Sequence, residues 1–341
     1  MSTPLAGVRV LEMESIGPVP WAGMLLAGMG AEVTRLRRPV AADMGIPRDA
    51  RFEIQNHGKR TTTADLKTPQ GRDAALDLVQ DAHILLEGLR PSVMERLGLG
   101  PDICRERNPS LVYGRATGWG QSGPLAQTVG HDINYLAATG VLHAIGSADA
   151  PPTVPLNLIG DFGAGGMLLV SGVLAALVQA RATGKGCVVD AAIVDGALAL
   201  MAPILGRWQE GQWHDARERN LFDGGAPFYA TYATADGKAV AVGAIEPRFY
   251  AALIAGLGLD ASTLAPQHDQ ASWPRMRERF AGIFAQHDRA HWCQVFEGTE
   301  ACVSPVLSLS ELAAHPHLRA RTSLVDRGGI LHPAPAPRFL D

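Results

Sequence analysis

The sequence predicts an α/β protein, with a large domain built on a parallel sheet and a smaller α+β domain after it. Three observations carry this. Short apolar runs alternate with helical segments from the N-terminus to Thr117, the pattern of a parallel sheet covered by helices. After about residue 205 the chain becomes polar and turn-rich, and a hairpin followed by a helix comes next. The length of 341 residues favours two domains, or one large core with an appendage.

The elements follow in order. "VRVLEM" reads as a buried strand, "GPVPWAGMLLAGMG" as a turn and short helix stopped by glycine, and "AEVTRL" as a second strand. Residues 69 to 82 form an amphipathic helix with Leu76 and Val79 inward. "AHILLEGL" is a buried strand, "PSVMERLG" a helix, and "SLVYGRAT" another strand. In "GHDINYLAATGVLHAIG", Ile133, Leu136, Ala137, Gly140 and Val141 recur at three- and four-residue spacing, which predicts a helix with one buried face. From Phe162 to Ala180 no charge occurs, a length close to that of a bilayer span. Four glycines and flanking soluble patterning favour a helix buried on all sides instead. "FYATYATADGKAVAVGAI" is two alternating runs joined at Asp236–Gly237, a hairpin signal, and "EPRFYAALIAGLGL" is a helix with Pro247 in its first turn. This gives a large domain over 1–200, a linker over 201–221 and a small domain over 222–315.

Composition narrows the function classes. Hydrophobic residues make up 47% and charged residues 19%, as in a globular protein. Net charge is −4 with no basic run, which argues against nucleic-acid binding. Cys104, Cys187, Cys293 and Cys302 form no CxxC pair and no zinc-finger spacing, so no metal site is expected. They read as reduced thiols of a cytoplasmic protein. The N-terminus lacks the charged and apolar regions of a secretory signal, and "PRFLD" is not a peroxisomal address.

Three places could carry chemistry. "GWGQSG" at Gly118–Gly123 matches the dinucleotide fingerprint by spelling, but Pro124 follows directly and no acidic residue lies about twenty positions on. A glycine-rich loop is the better reading. His131 and Asp132 open a predicted helix, where free N–H groups favour an anion; taken locally, an Asp132 helix cap beside a surface histidine is the favoured reading. Asp161 and Glu246 also precede helices and have the same cap explanation. Arg35, Arg37 and Arg38 follow the second strand, Lys59, Arg60 and Lys67 surround "TTTADL", and Arg90 ends "ILLEGL". Cations beyond the strands' carboxyl ends suit a phosphate or form a solvated rim.

Taken together, the ordered motifs "GPVPWAGMLLAGMGAEVTRLRRP", "GKRTTTADLK", "EGLRPSVMERLGLGP", "LVYGRATGWGQSGP", "GHDINY", "PLNLIGDFGAGG", "GKGCVVDAAIVDGA", "DGKAVAVGAIEP" and "CVSPVLSLSELAAHPHLRAR" resemble the family III CoA-transferases, and within them the racemase branch. The resemblance implies a Rossmann-like large domain to which residues 316–341 return, and an interlocked homodimer. It implies that CoA, as part of the substrate and with no separate cofactor, lies along Arg38, the run Ala64, Asp65, Leu66 and Lys67, the run Gly88, Leu89 and Arg90, and Arg96. Gly130, Ile133, Asn134 and Tyr135 would hold the thioester. His131 and Asp161 match an acid/base pair, and Glu246 matches a glutamate given by the partner subunit. Arg37 departs from the acidic or neutral residue more usual before "RP".

The chemistry so implied interconverts 2-methylacyl-CoA enantiomers. Proton loss on one face of the carbon beside the thioester and gain on the other pass through an enolate, so two proton carriers are needed, each within about 3 Å of the proton it moves. The Asp132 backbone N–H is placed to donate to the enolate oxygen. Two other expectations stay open: CoA transfer with Asp132 as nucleophile forming an acyl anhydride, and acyl-CoA binding without catalysis.

Overall fold

Apolar residues that alternate along the N-terminal strands face two helical layers. In the computed structural model, which describes residues 3–40 and 49–340, the strands form one six-stranded parallel sheet. They are β1 (Arg9–Met13), β2 (Glu32–Arg37), β3 (Arg60–Thr63), β4 (Ile84–Glu87), β5 (Val112–Thr117) and β6 (Val188–Ala192), in the order β3-β2-β1-β4-β5-β6. This is the doubly wound order, whose direction reverses between β1 and β4, where ligands of such sheets bind.

The pleat divides the core. Val10, Val33, Ile84, Leu86 and Val112 pack with Val19, Ala22 and Leu26 of α1 (Pro18–Gly28), and with Leu169, Val173 and Leu177 of the long helix after Asp161. Leu11, Met13, Leu36, Leu85 and Tyr113 pack on the other side with Ala75 and Val79 of α2 (Pro69–Asp81), Met94 of α3 (Val93–Arg96) and Cys104 of α4 (Pro101–Arg107). Leu76, expected inward, is only half-buried; Ala75 takes that place. Glu12 of β1 and Lys59 form an ion pair at 2.6 Å with both side chains at 0% exposure. A Cβ at Gly23 of α1 would overlap that carboxylate.

Two expectations about helices need correction. The helix at "HDINYLA" is α5 (Asp132–Ala137), six residues long. It buries Asp132 and Leu136, while Ile133 and Ala137 are exposed, and Gly140 at φ 78° helps turn the chain away. The apolar run is a π-helical segment, Leu158–Gly166, continued by α6 (Met167–Thr183). It is not buried on all sides, because Met167, Leu168 and Val178 are exposed. By length and composition Leu158–Thr183 could cross a membrane, a test that core helices also pass. α7 (Ile193–Leu200) follows β6.

The chain separates into two units, and their borders differ from expectation. The first comprises 1–141, 155–202 and 322–341, so the C-terminal return starts at Thr322 and not at residue 316. The second comprises 142–154 and 203–321. Residues 142–154 belong to it because Arg217 donates to the carbonyls of His143, Ser147 and Ala150 at 2.9–3.1 Å. The expected linker includes a whole helix, α8 (Ala202–Gln209). The hairpin forms as predicted from β7 (Tyr229–Ala233) and β8 (Ala239–Gly243), and β9 (Val303–Pro305) adds a third antiparallel strand. Phe228, Phe280, Phe284 and Trp292 fill the core beneath α9 (Pro247–Gly256), α10 (Trp273–Phe284) and α11 (Arg289–Phe296).

Candidate active site

At the reversal point of the sheet, the loops after β1, β4 and β5 surround a cavity of about 630 Å³. Its lining includes Ile16–Pro18 after β1, Gly88–Pro91 after β4 and Gly118–Trp119 after β5. His131, Asn134 and Tyr135 from the start of α5 and Asp161 from the π-helical segment complete it. Histidine and aspartate, separated by thirty positions in sequence, therefore face one space.

Local chemistry explains how each is held. His131 is the residue before the first turn of α5, and its backbone N–H donates to Asn134 Oδ1 at 3.0 Å. His131, not Asp132, is therefore the capping residue. The Tyr135 hydroxyl donates to the Gly130 carbonyl, and its ring meets Trp119 edge-on at 4.9 Å. A Cβ at Gly118 would overlap that ring, so the first glycine of "GWGQSG" is there for close packing, not for a pyrophosphate.

The two aspartates are coupled. Asp132 is buried, and its Oδ2 accepts the Asp161 backbone N–H at 2.7 Å and also bonds the Gly160 N–H. A Cβ at Gly160 would overlap that carboxylate, so glycine is required beside it. Asp132 therefore satisfies donors at the start of the π-helical segment, where N–H groups have no partner within the helix. Asp132 is not among the residues that line the cavity, and its Oδ2 is turned to the Asp161 backbone. Asp161 is inside the π-helical segment and not its cap, and its Oδ2 accepts from Asn157 Nδ2 at 3.2 Å. Burial pushes the Asp161 carboxyl above its usual range. The Asn157 hydrogen bond opposes this, the Asp132 charge reinforces it and His131 opposes it. Burial likewise raises Asp132, against its backbone hydrogen bonds.

The residues expected along CoA fall into three groups. Gly88, Leu89, Arg90, Gly130, Asn134 and Tyr135 line the cavity. Leu66, Lys67 and Arg96 line a separate cleft of about 460 Å³, together with Arg72. Arg72 escaped sequence reading because it looks like any charged helix position. The only signal is its place one turn after the Thr68 cap of α2. Arg38, Ala64, Asp65 and Ile133 line neither space. The Ala64 N–H extends the β2–β3 pairing to the Arg37 carbonyl, and the Asp65 carbonyl accepts from Thr68, building the turn into α2. Arg35, Arg37 and Arg38 all approach Glu14, at 3.0, 2.9 and 3.9 Å, and Glu53 lies 3.8 Å from Arg35, so the cluster is partly paired and stays net positive. The unusual Arg37 is thereby explained by Glu14. Glu246 precedes α9 in the second unit and is not part of the first unit's cluster. Among the described residues no group of three or more His, Cys, Asp or Glu is placed to hold a metal.

The model of CoA-transferase family III matches residues 5–339. The chain belongs to this family. Among family III relatives, the alpha-methylacyl-CoA racemase of Mus musculus is 45% identical over 98% of this chain and 86% of its own length. That of Homo sapiens is 43% identical over 99% and 87%. A CaiB/BaiF family protein from Brucella suis has the same fold, with a TM-score of 0.83 at 24% identity, covering 100% of this chain and 94% of its own. The doubly wound sheet is thus part of a fold that the two proteins share.

Proposed function

We propose that this protein interconverts (2R)- and (2S)-2-methylacyl-CoA thioesters by proton transfer through an enolate, with no cofactor beyond the CoA of the substrate. The observation that carries this is the meeting of His131 and Asp161 on one cavity, in a chain 43–45% identical to racemases that act on such thioesters. His131 removes the α-proton of one enantiomer and protonated Asp161 returns a proton; for the other enantiomer the roles exchange. Burial favours the protonated Asp161 that the first direction needs. The Asp132 backbone N–H, in the first turn of α5 where no intrahelical acceptor exists, donates to the enolate oxygen. α5 is too short for a strong helix dipole, so the single N–H is what counts. Lys67, Arg72 and Arg96 receive CoA phosphates in the cleft, and Arg90 serves the cavity. The enzyme acts as a cytoplasmic homodimer in which the partner subunit's glutamate at position 246 orients His131.

Incubation with a 2-methylacyl-CoA in deuterium oxide tests the reaction. Label is expected at the α-carbon without any acceptor acid, and His131→Ala or Asp161→Ala is expected to slow exchange by about 10² or more while acyl-CoA still binds. CoA moving to an added carboxylate without label would establish transfer, with Asp132 as the nucleophile that forms the acyl anhydride. Binding with neither activity would leave an acyl-CoA carrier.

A further inference from the structure

Arg115 lines neither the cavity nor the cleft, yet it joins them. It lies on β5 directly opposite Glu87 of β4, and its Nε donates to Glu87 Oε1 at 2.8 Å. Its two terminal nitrogens donate to both oxygens of Glu95 on α3, at 2.8 and 3.2 Å. The Glu87 side chain is 0% exposed and that of Arg115 7%. The other Glu87 oxygen accepts the Leu89 N–H at 2.7 Å. One guanidinium therefore grips both ends of the segment 87–95. The near end leads into Gly88–Pro91 of the cavity, and the far end is beside Arg96, Leu97 and Gly98 of the cleft. Between them the backbone is restrained: Ser92 has φ 67°, the left-handed region, and a Cβ at Gly88 would press on Val19 and Ser15.

We propose that Arg115, with Glu87 and Glu95, is a positioning residue that holds Arg90 and Arg96 at the spacing needed to receive one extended acyl-CoA across both spaces. The inference rests on the acyl-CoA reading of this site. A planar fork can hold two carboxylates at once, which the single ammonium of lysine cannot do with the same geometry. The buried Glu87 requires this partner for stability, but the bidentate bond to the 43%-exposed Glu95 carboxylate is not needed to neutralise a buried charge. Its geometric effect is to fix α3 against β4 and β5 beside the phosphate-binding cleft.

The test is Arg115→Lys, which keeps a charge beside Glu87, together with Glu95→Ala, which leaves the Arg115–Glu87 pair intact. For both variants KM for a 2-methylacyl-CoA and the Kd for free CoA are expected to rise about tenfold, with kcat falling much less. Glu95→Ala is the sharper case: removing a negative charge beside bound phosphates would by itself tighten CoA binding, so weaker binding marks lost positioning. Wild-type affinity in both folded variants, or a lower melting temperature with KM unchanged, overturns the proposal. If the wild-type protein, titrated in parallel, binds no CoA, the acyl-CoA reading itself fails and the positioning role goes with it.

Discussion

Asp132 and Asp161 come from different elements, and one hydrogen bond makes them a unit. The Asp132 carboxylate, next to His131 in sequence, ties down the backbone of Asp161. Its charge also adds to the rise in Asp161's pKa, behind the larger effect of burial. A pH dependence follows. In the direction where His131 removes the proton, Asp161 must be protonated, so kcat/KM falls as pH rises through the elevated Asp161 pKa. Asp132→Asn keeps an oxygen to accept the Asp161 N–H and removes the charge. The alkaline limb in that direction is then expected to move to lower pH, read from initial rates with a single enantiomer. An unmoved limb would mean that Asp161 does not supply that proton.

At the scale of elements, the packing of loops fixes the cavity. Gly118→Ala would place a methyl group in the Tyr135 ring, whose hydroxyl holds the Gly130 carbonyl beside His131. Displacement of the 129–131 loop by about 1 Å is expected to cost around 10² in kcat, with the melting temperature changed little, in a steady-state assay against thermal melting. This position also shows what the sequence can and cannot reveal. "GWGQSG" was visible as a glycine-rich loop, but which glycine packs against which ring depends on contacts between the loop after β5 and α5. The inner strands β1, β2, β4 and β5 were readable because apolar residues recur along each of them between turn and helix signals. The two strands that were missed, "RTTT" and "VVDAA", are the two edges of the sheet, where one side faces no further strand and hydrophobic patterning relaxes. The π-helical segment could not be read from a 3.6-residue period at all. Its glycines Gly160, Gly165 and Gly166 let it press against Asp132, Pro18 and Trp21. The identities of His131 and Asp161 were legible through the family motifs, whereas their shared cavity needed the sheet order.

At the scale of the molecule, Glu246 poses the remaining question, since it is carried by the second unit while His131 and Asp161 are carried by the first. Met167, Leu168 and Val178 of α6 and Leu198 and Leu200 of α7 leave an exposed apolar surface on the first unit, which supports a second copy as its cover. If each site of that homodimer takes its glutamate from the other chain, subunit mixing has a definite outcome. His131→Ala and Glu246→Ala homodimers are each expected to be nearly inactive. In a mixed dimer one site combines both substitutions, and the other combines wild-type His131 with wild-type Glu246. Unfolding and refolding the two variants together in equal amounts makes about half of the dimers mixed, each with one working site, so roughly a quarter of wild-type deuterium exchange should return. Were the glutamate given within one chain, every site in the mixture would lack one of the two groups, and activity would stay at the level of the separate variants.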